Sequence, residues 1–241
     1  MKSINLFCLP FAGGNKYSYR DYEATAPSFV QLHPLEYPGR GSRSNEQLLS
    51  DMEDIVNDVY GQMQHLVSYR PYAVYGHSMG GITAYLLVQK LIRNKHEAPV
   101  HLFITGTMGP SAHSRSEKQR HLMSREKFIE EIKRLDGLPE EILAQDELID
   151  YFEPILRADF KATENYVYRP AAPLDIPVTV ITGTEETMDR AEIQLWQKET
   201  TREVDFRTMP GKHFFIFKQP AAITNIISDK LKTHTKIIHY E

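Results

Sequence analysis

One heptapeptide narrows the folds open to this chain more than any other feature. Tyr75-Gly76-His77-Ser78-Met79-Gly80-Gly81 carries the pattern G-x-S-x-G, with the apolar run Pro71-Tyr72-Ala73-Val74-Tyr75 before it and apolar residues at helical spacing over 82–93 after it. The bare pattern arises by chance in a chain of this size with a probability of about one in ten. The order of its surroundings is what gives it meaning: buried strand, sharp turn, helix. Such a turn lifts a serine hydroxyl above the end of a sheet, and its glycines spare the strand and the helix a Cβ clash. Free N–H groups and the dipole at the helix start favour negative charge developing beside it. Ser78 is therefore the candidate nucleophile.

The rest of the chain supplies a sheet for this elbow. Apolar segments of strand length recur at 4–9, 30–35, 72–75, 100–105, 178–182 and 204–209, separated mostly by helical patterns. That alternation predicts an α/β fold with a largely parallel, doubly wound sheet, a helix over 51–67 before the elbow and a last helix over 221–232. A chain of 241 residues suits a single domain spanning 1–241. One region breaks the rhythm. Between Gly109-Pro110 and Ala171-Ala172-Pro173 there are helical stretches at 124–135, 140–145 and 146–165, with a stop at Asp136-Gly137-Leu138-Pro139, and no strand pattern. A helical insertion over about 111–171, lying as a lid above the strand ends, is expected. Met123, Phe128, Phe152, Leu156 and Phe160 could line an acyl pocket beneath it, although their spacing serves helix packing equally well.

Composition removes several function classes. The formal charge is −4 and the basic residues are dispersed, which gives no electrostatic case for nucleic acid. No apolar run approaches the roughly 20 residues of a membrane span. The N-terminal run ending at Pro10 reads as a first strand rather than a signal segment. The single Cys8 can form no internal disulfide, so a reducing, cytoplasmic setting is expected. Set in an apolar strand with no base beside it, Cys8 reads as a structural thiol.

A nucleophilic serine needs a base at the C-terminal end of a strand. His213, in Met209-Pro210-Gly211-Lys212-His213-Phe214-Phe215, follows the last expected strand and keeps the chain order serine, acid, histidine. His77 adjoins the serine but points elsewhere on an elbow, and His101 begins a strand at the far end of the sheet. The acid should follow the preceding strand, in Gly183-Thr184-Glu185-Glu186-Thr187-Met188-Asp189. Glu186 is the choice there, with Asp189 as the alternative acid and Glu185 as a further competitor. The oxyanion hole should combine the Met79 N–H with one from Phe11 or Ala12, in the glycine-rich loop after the first strand.

Cys8-Leu9-Pro10-Phe11-Ala12-Gly13-Gly14, Pro38-Gly39-Arg40-Gly41, the elbow and Gly211-Lys212-His213-Phe214-Phe215 together resemble the type II thioesterases, the stand-alone editing enzymes of nonribosomal peptide and polyketide synthetases. The match runs in order over essentially the whole chain. It implies an α/β-hydrolase fold with a helical lid and hydrolysis of acyl groups from the phosphopantetheine arm of acyl or peptidyl carrier domains. No cofactor or metal is implied, and a monomer is expected. It places Ser78 as nucleophile, His213 as base, and Met79 with Phe11 or Ala12 as oxyanion donors. The chain departs from the family at Glu186, where similar enzymes usually have Asp, at Tyr19 and Tyr22, where they tend to carry Phe and Trp, and at Lys212, where Gly is frequent. A product-releasing thioesterase or a carboxylester hydrolase would use the same triad, and a carrier-binding protein without turnover is a reading of another class. Arg115, Lys118, Arg120, Arg125 and Lys127 could face an acidic carrier, but mixed charge of this kind more often marks a solvated face.

Overall fold

The computed structural model describes residues 3–67, 70–138 and 140–236. Pro139, in the expected helix stop, lies outside the described residues, as do both ends of the expected 1–241 domain. Six strands, β1 (Ile4–Leu9), β2 (Val30–Pro34), β3 (Tyr72–His77), β4 (His101–Thr105), β5 (Val178–Gly183) and β6 (Asp205–Met209), form one sheet ordered β2-β1-β3-β4-β5-β6. All five pairings are parallel. Every residue of β1, β3, β4 and β5 is buried, and exposure appears at the edge strands β2 and β6. Helices therefore cover both faces of the inner strands, which is why these strands read as continuous apolar runs rather than alternating ones.

The helices are α1 (Arg20–Thr25), α2 (Met52–Met63), α3 (Met79–Arg93), α4 (Arg125–Arg134), α5 (Glu140–Leu143), α6 (Asp146–Glu164), α7 (Arg190–Gln194), α8 (Phe215–Lys218) and α9 (Pro220–Lys236). Asp51 caps α2 by accepting from the Glu53 and Asp54 N–H groups, and Met52, Ile55, Val56, Val59 and Met63 form its buried stripe. With α3 this stripe packs on Phe7, Val74, Ile104 and Val180 on one face of the sheet. Tyr22 of α1 and Ile223, Ile227 and Leu231 of α9 cover Ile4, Leu6, Ala73 and Phe103 on the other. The elbow helix begins at Met79, not at residue 82, because Gly80 and Gly81 in its first turn weaken the helical pattern in the sequence. Among the described residues between β4 and β5 there is no strand. Phe128, Ile132 and Leu156 make a separate small core there, with Met123, Phe152 and Phe160 against it. The residues considered for an acyl pocket thus pack largely on one another. No helix among the described residues is long and apolar enough to cross a membrane.

The strand register sets the stage for chemistry. Leu9 pairs with Gly76, His77 with Thr105, Thr105 with Ile181 and Gly183 with Met209. The loops after β1, β3, β4, β5 and β6 consequently emerge in one row. The strand order reverses between β1 and β3, and the crevice at such a switch point is where open α/β sheets bind ligands.

Two buried imidazoles make stability depend on pH. His101 stacks on Phe103 at 4.1 Å between ring centroids, and its Nε2 lies 2.8 Å from Thr179 Oγ1. Burial lowers its pKa from 6.5 to about 3, and burial also takes His77 well below 6.5. Both rings are neutral in the fold, while the unfolded chain protonates them below about 6.5, so the unfolded state binds more protons and stability falls as pH drops below that point. Each ring contributes up to about 1.4 kcal/mol per pH unit. His101→Phe should therefore show a smaller loss of denaturant midpoint between pH 7 and pH 5 than wild type, and equal losses would contradict this origin. Cys8 is fully buried and burial raises its thiol pKa, so it takes the structural part expected of it.

Candidate active site

Ser78 sits between the end of β3 and the start of α3 with φ 54° and ψ −118°, a left-handed conformation that a non-glycine residue adopts only under constraint. The constraint is visible. Ser78 N–H donates to the Thr105 carbonyl at 2.8 Å, and its own carbonyl accepts from Gly81 N–H at 3.0 Å. A Cβ on Gly76 would lie 2.0 Å from the Gly80 carbonyl oxygen, and one on Gly80 would lie 2.3 Å from that of Leu9. Both glycines are therefore required for strand, helix and the β1 loop to meet. Among the described residues the Ser78 hydroxyl makes no hydrogen bond.

The loops after β5 and β6 bring an acid and an imidazole together. His213 Nδ1 lies 2.6 Å from Glu186 Oε1, and Glu186 Oε2 accepts from Gly183 N–H at 2.6 Å. A turn closed by Glu186 N–H on the Gly183 carbonyl folds the side chain back onto the strand end. That fold takes up the extra methylene of glutamate and leaves Oε1 beside the imidazole. The carboxylate accepts from Nδ1–H, which leaves Nε2 as the basic nitrogen. The two loops are laced by Thr184 N–H to the Met209 carbonyl at 2.8 Å and Glu185 N–H to that of Gly211 at 3.0 Å. Asp189 is elsewhere: exposed, it caps α7 by accepting from Ala191 N–H at 2.8 Å. Glu185 is also exposed. The His213 ring lies 4.8 Å from that of His77, the residue before Ser78, so elbow and imidazole are neighbours.

Facing them is the loop after β1. Several of its polar backbone groups are held by specific partners. Tyr19 OH donates to the Leu9 carbonyl at 2.6 Å, Tyr37 OH to that of Pro10 at 3.0 Å, and Gly14 N–H to that of Phe11 at 2.9 Å. The Phe11 and Ala12 N–H groups take no internal acceptor among the described residues, and Met79 N–H is a first-turn donor of α3. These are the donors an oxyanion hole needs. The Phe11 ring is wedged among His77, Phe214 and Phe217 at centroid distances of 5.8, 5.0 and 5.6 Å.

Several supporting contacts are not legible in the sequence. Tyr19 and Tyr22 use the hydroxyls that set them apart from Phe and Trp. Tyr22 OH lies 3.2 Å from Tyr75 OH, which lies 3.1 Å from Thr105 Oγ1, which lies 3.0 Å from His77 Nδ1. This buried polar chain runs beneath the elbow. Asp159 was hidden inside the amphipathic pattern of α6, yet it is fully buried and paired with Arg40 of the Pro38-Gly39-Arg40-Gly41 loop at 2.5 and 2.7 Å. The signal was available: a carboxylate on an otherwise apolar helix face needs a partner. Of the cations considered for a docking face, Lys118 and Arg120 pair with Glu131, Arg125 with Asp150 and Glu153, and Arg115 donates to the Met108 carbonyl. Most of that charge is spent inside the chain. Lys212 reaches Asp136 at 3.4 Å in an exposed pair. A cavity of about 330 Å³ lined by Met52, Val56, Leu86, Lys90, Ala162 and Tyr166 opens beside α2 and α3, and neither Ser78, Glu186 nor His213 touches it.

The chain is similar to known proteins in sequence and in overall structure. ClbQ from the colibactin NRPS/PKS pathway superposes with a TM-score of 0.92 at 31% identity, covering 98% of this chain and all of its own. The gramicidin S biosynthesis protein GrsT of Aneurinibacillus migulanus is 30% identical over 95% of this chain and 89% of its own length. Thioesterase PikA5 of Streptomyces venezuelae is 32% identical over 95% of this chain and 81% of its own. The thioesterase domain model matches residues 4–231. With an α/β-hydrolase core and this match over nearly its full length, the chain belongs to the thioesterase family.

Proposed function

We propose that this thioesterase is of the type II class and clears acyl groups from the phosphopantetheine arm of carrier domains, with Ser78, His213 and Glu186 as its triad. The observation that carries the triad is the 2.6 Å pair between His213 and Glu186 beside the strained Ser78. Support for the substrate class comes from similarity to proteins named for gramicidin S and colibactin assembly.

In this mechanism Ser78 Oγ attacks the thioester carbonyl carbon while its proton passes to His213 Nε2. The carbonyl oxygen becomes an oxyanion held by the N–H of Met79 and that of Phe11 or Ala12, worth several kcal/mol to the transition state. Glu186 keeps the imidazole in the right tautomer and stabilises the imidazolium. Collapse breaks the C–S bond and expels the pantetheine sulfur as thiolate, a good leaving group, which takes the proton from His213 Nε2 and so returns the imidazole to its neutral form. Water then attacks the acyl-serine carbonyl, giving its proton to His213, and the carboxylic acid departs as Ser78 regains its proton. No cofactor enters this sequence. The helices α4 to α6 would act as the lid over the acyl chain, and the enzyme would work as a cytoplasmic monomer.

The test compares one acyl group on three carriers: a phosphopantetheinylated carrier domain, a short pantetheine thioester and a simple ester. The expected order of kcat/KM is carrier, then pantetheine, then ester. A rate on the ester equal to or above that on the carrier thioester would move the assignment to a carboxylester hydrolase.

A further inference from the structure

The loop carrying the Phe11 and Ala12 donors is held from the lid. Phe11 to Gly14 form a β-turn closed by Gly14 N–H on the Phe11 carbonyl, with Gly13 at φ 78° in its third position, the type II pattern. In such a turn the central peptide, here the Ala12 carbonyl and the Gly13 N–H, can flip, and the flip would loosen the turn on which the adjacent Phe11 and Ala12 N–H groups are carried. Asp159 opposes it. Its Oδ2 accepts from Gly13 N–H at 2.7 Å, and Leu156, one turn earlier on the same face of α6, lies where a Gly13 Cβ would come within 2.6 Å of its Cδ2.

The carboxylate that grips Gly13 is itself fixed. Arg40 holds both its oxygens, at 2.5 and 2.7 Å, and reaches the Gly14 carbonyl at 3.4 Å. Arg40 also lies over Tyr37, 5.3 Å from the ring centroid, and Tyr37 OH holds the Pro10 carbonyl. Arg40 and Asp159 are 3% and 0% exposed, so the pair is shielded from bulk water. A surface helix thus delivers a buried, charge-paired acceptor to the turn beside the proposed oxyanion donors.

We propose that Asp159, paired with Arg40, is a positioning residue that locks the oxyanion loop, so that the seating of the lid helix sets the strength of the oxyanion hole. This rests on the thioesterase reading above. Its predicted signature is a loss in kcat with little change in KM, because the oxyanion is held only after attack.

Asp159→Ala, Asp159→Asn and Arg40→Lys would be assayed on an acylated carrier domain, alongside binding of a trifluoromethyl ketone analogue of the tetrahedral intermediate and of a non-hydrolysable thioether. For Asp159→Ala a fall in kcat of about 10- to 100-fold is expected, below the roughly 10²- to 10³-fold cost of removing one oxyanion donor outright, because the donor is displaced rather than lost. Affinity for the ketone should fall in parallel, while thioether affinity stays within about threefold. Asp159→Asn keeps an oxygen for Gly13 N–H and should fall between Asp159→Ala and wild type, which keeps the idea testable if the alanine variant folds poorly. Arg40→Lys should resemble Asp159→Asn. Variants that keep wild-type kcat and ketone affinity, or that lose ketone and thioether affinity equally, would overturn the inference. A failure of the thioesterase reading would show separately, in wild type that hydrolyses no carrier thioester.

Discussion

Ser78→Ala should lower turnover of an acylated carrier domain by on the order of 10⁴- to 10⁶-fold, the scale seen when a triad nucleophile is removed. The elbow fixes this expectation. Ser78 is held at φ 54° by two backbone hydrogen bonds and by glycines that let the chain turn beneath it, so no neighbouring hydroxyl can take its place. Its side chain makes no hydrogen bond among the described residues, and removing Oγ therefore leaves no buried polar partner unsatisfied. The variant should keep wild-type thermal stability to within about 0.5 kcal/mol and should lose labelling by a fluorophosphonate. Turnover retained in a folded Ser78→Ala enzyme would mean that water or another group attacks the thioester directly.

Glu186→Gln should reduce kcat by about 10²- to 10⁴-fold, since an amide no longer fixes the imidazole tautomer or stabilises the imidazolium. The lower end of that range applies if thiolate departure spares the acylation step, because deacylation by water still needs His213 as a base. Asp189→Ala should leave kcat within about twofold and lower stability by about 1 kcal/mol, the usual effect of losing a helix N-cap. The contrast follows from geometry: Glu186 is 2.6 Å from His213, whereas Asp189 spends its carboxylate on Ala191 N–H. A large activity loss in Asp189→Ala with Glu186→Gln unaffected would reverse the assignment of the acid.

The division between what the sequence revealed and what it concealed has a physical basis. Strand, elbow and helix were legible because G-x-S-x-G is a local motif whose glycines answer local clashes, and the inner strands were legible because burial on both faces leaves unbroken apolar runs. His213 and Glu186 could be chosen because the parallel topology sends the loops after β5 and β6 to the same edge as the elbow. Arg40 and Asp159 could not be paired in this way. They stand 119 positions apart and are joined only when the helices between β4 and β5 fold back over the β1 loop. The chain of Tyr22, Tyr75, Thr105 and His77 is concealed for the same reason, its members being drawn from three separate elements, α1, β3 and β4. The extra length of Glu186 looked like a departure from the family in one dimension. In three dimensions a backbone turn absorbs it.

The most direct test of the account is to locate the covalent intermediate. Wild-type enzyme would be mixed with an acylated carrier domain, quenched in acid within a turnover, digested and mapped by mass spectrometry. The expected result is the acyl group on the peptide containing Ser78, formed at a rate no slower than product release. Hydrolysis at the full rate with no acyl-enzyme at any time, or with the acyl group on a residue other than Ser78, would contradict it.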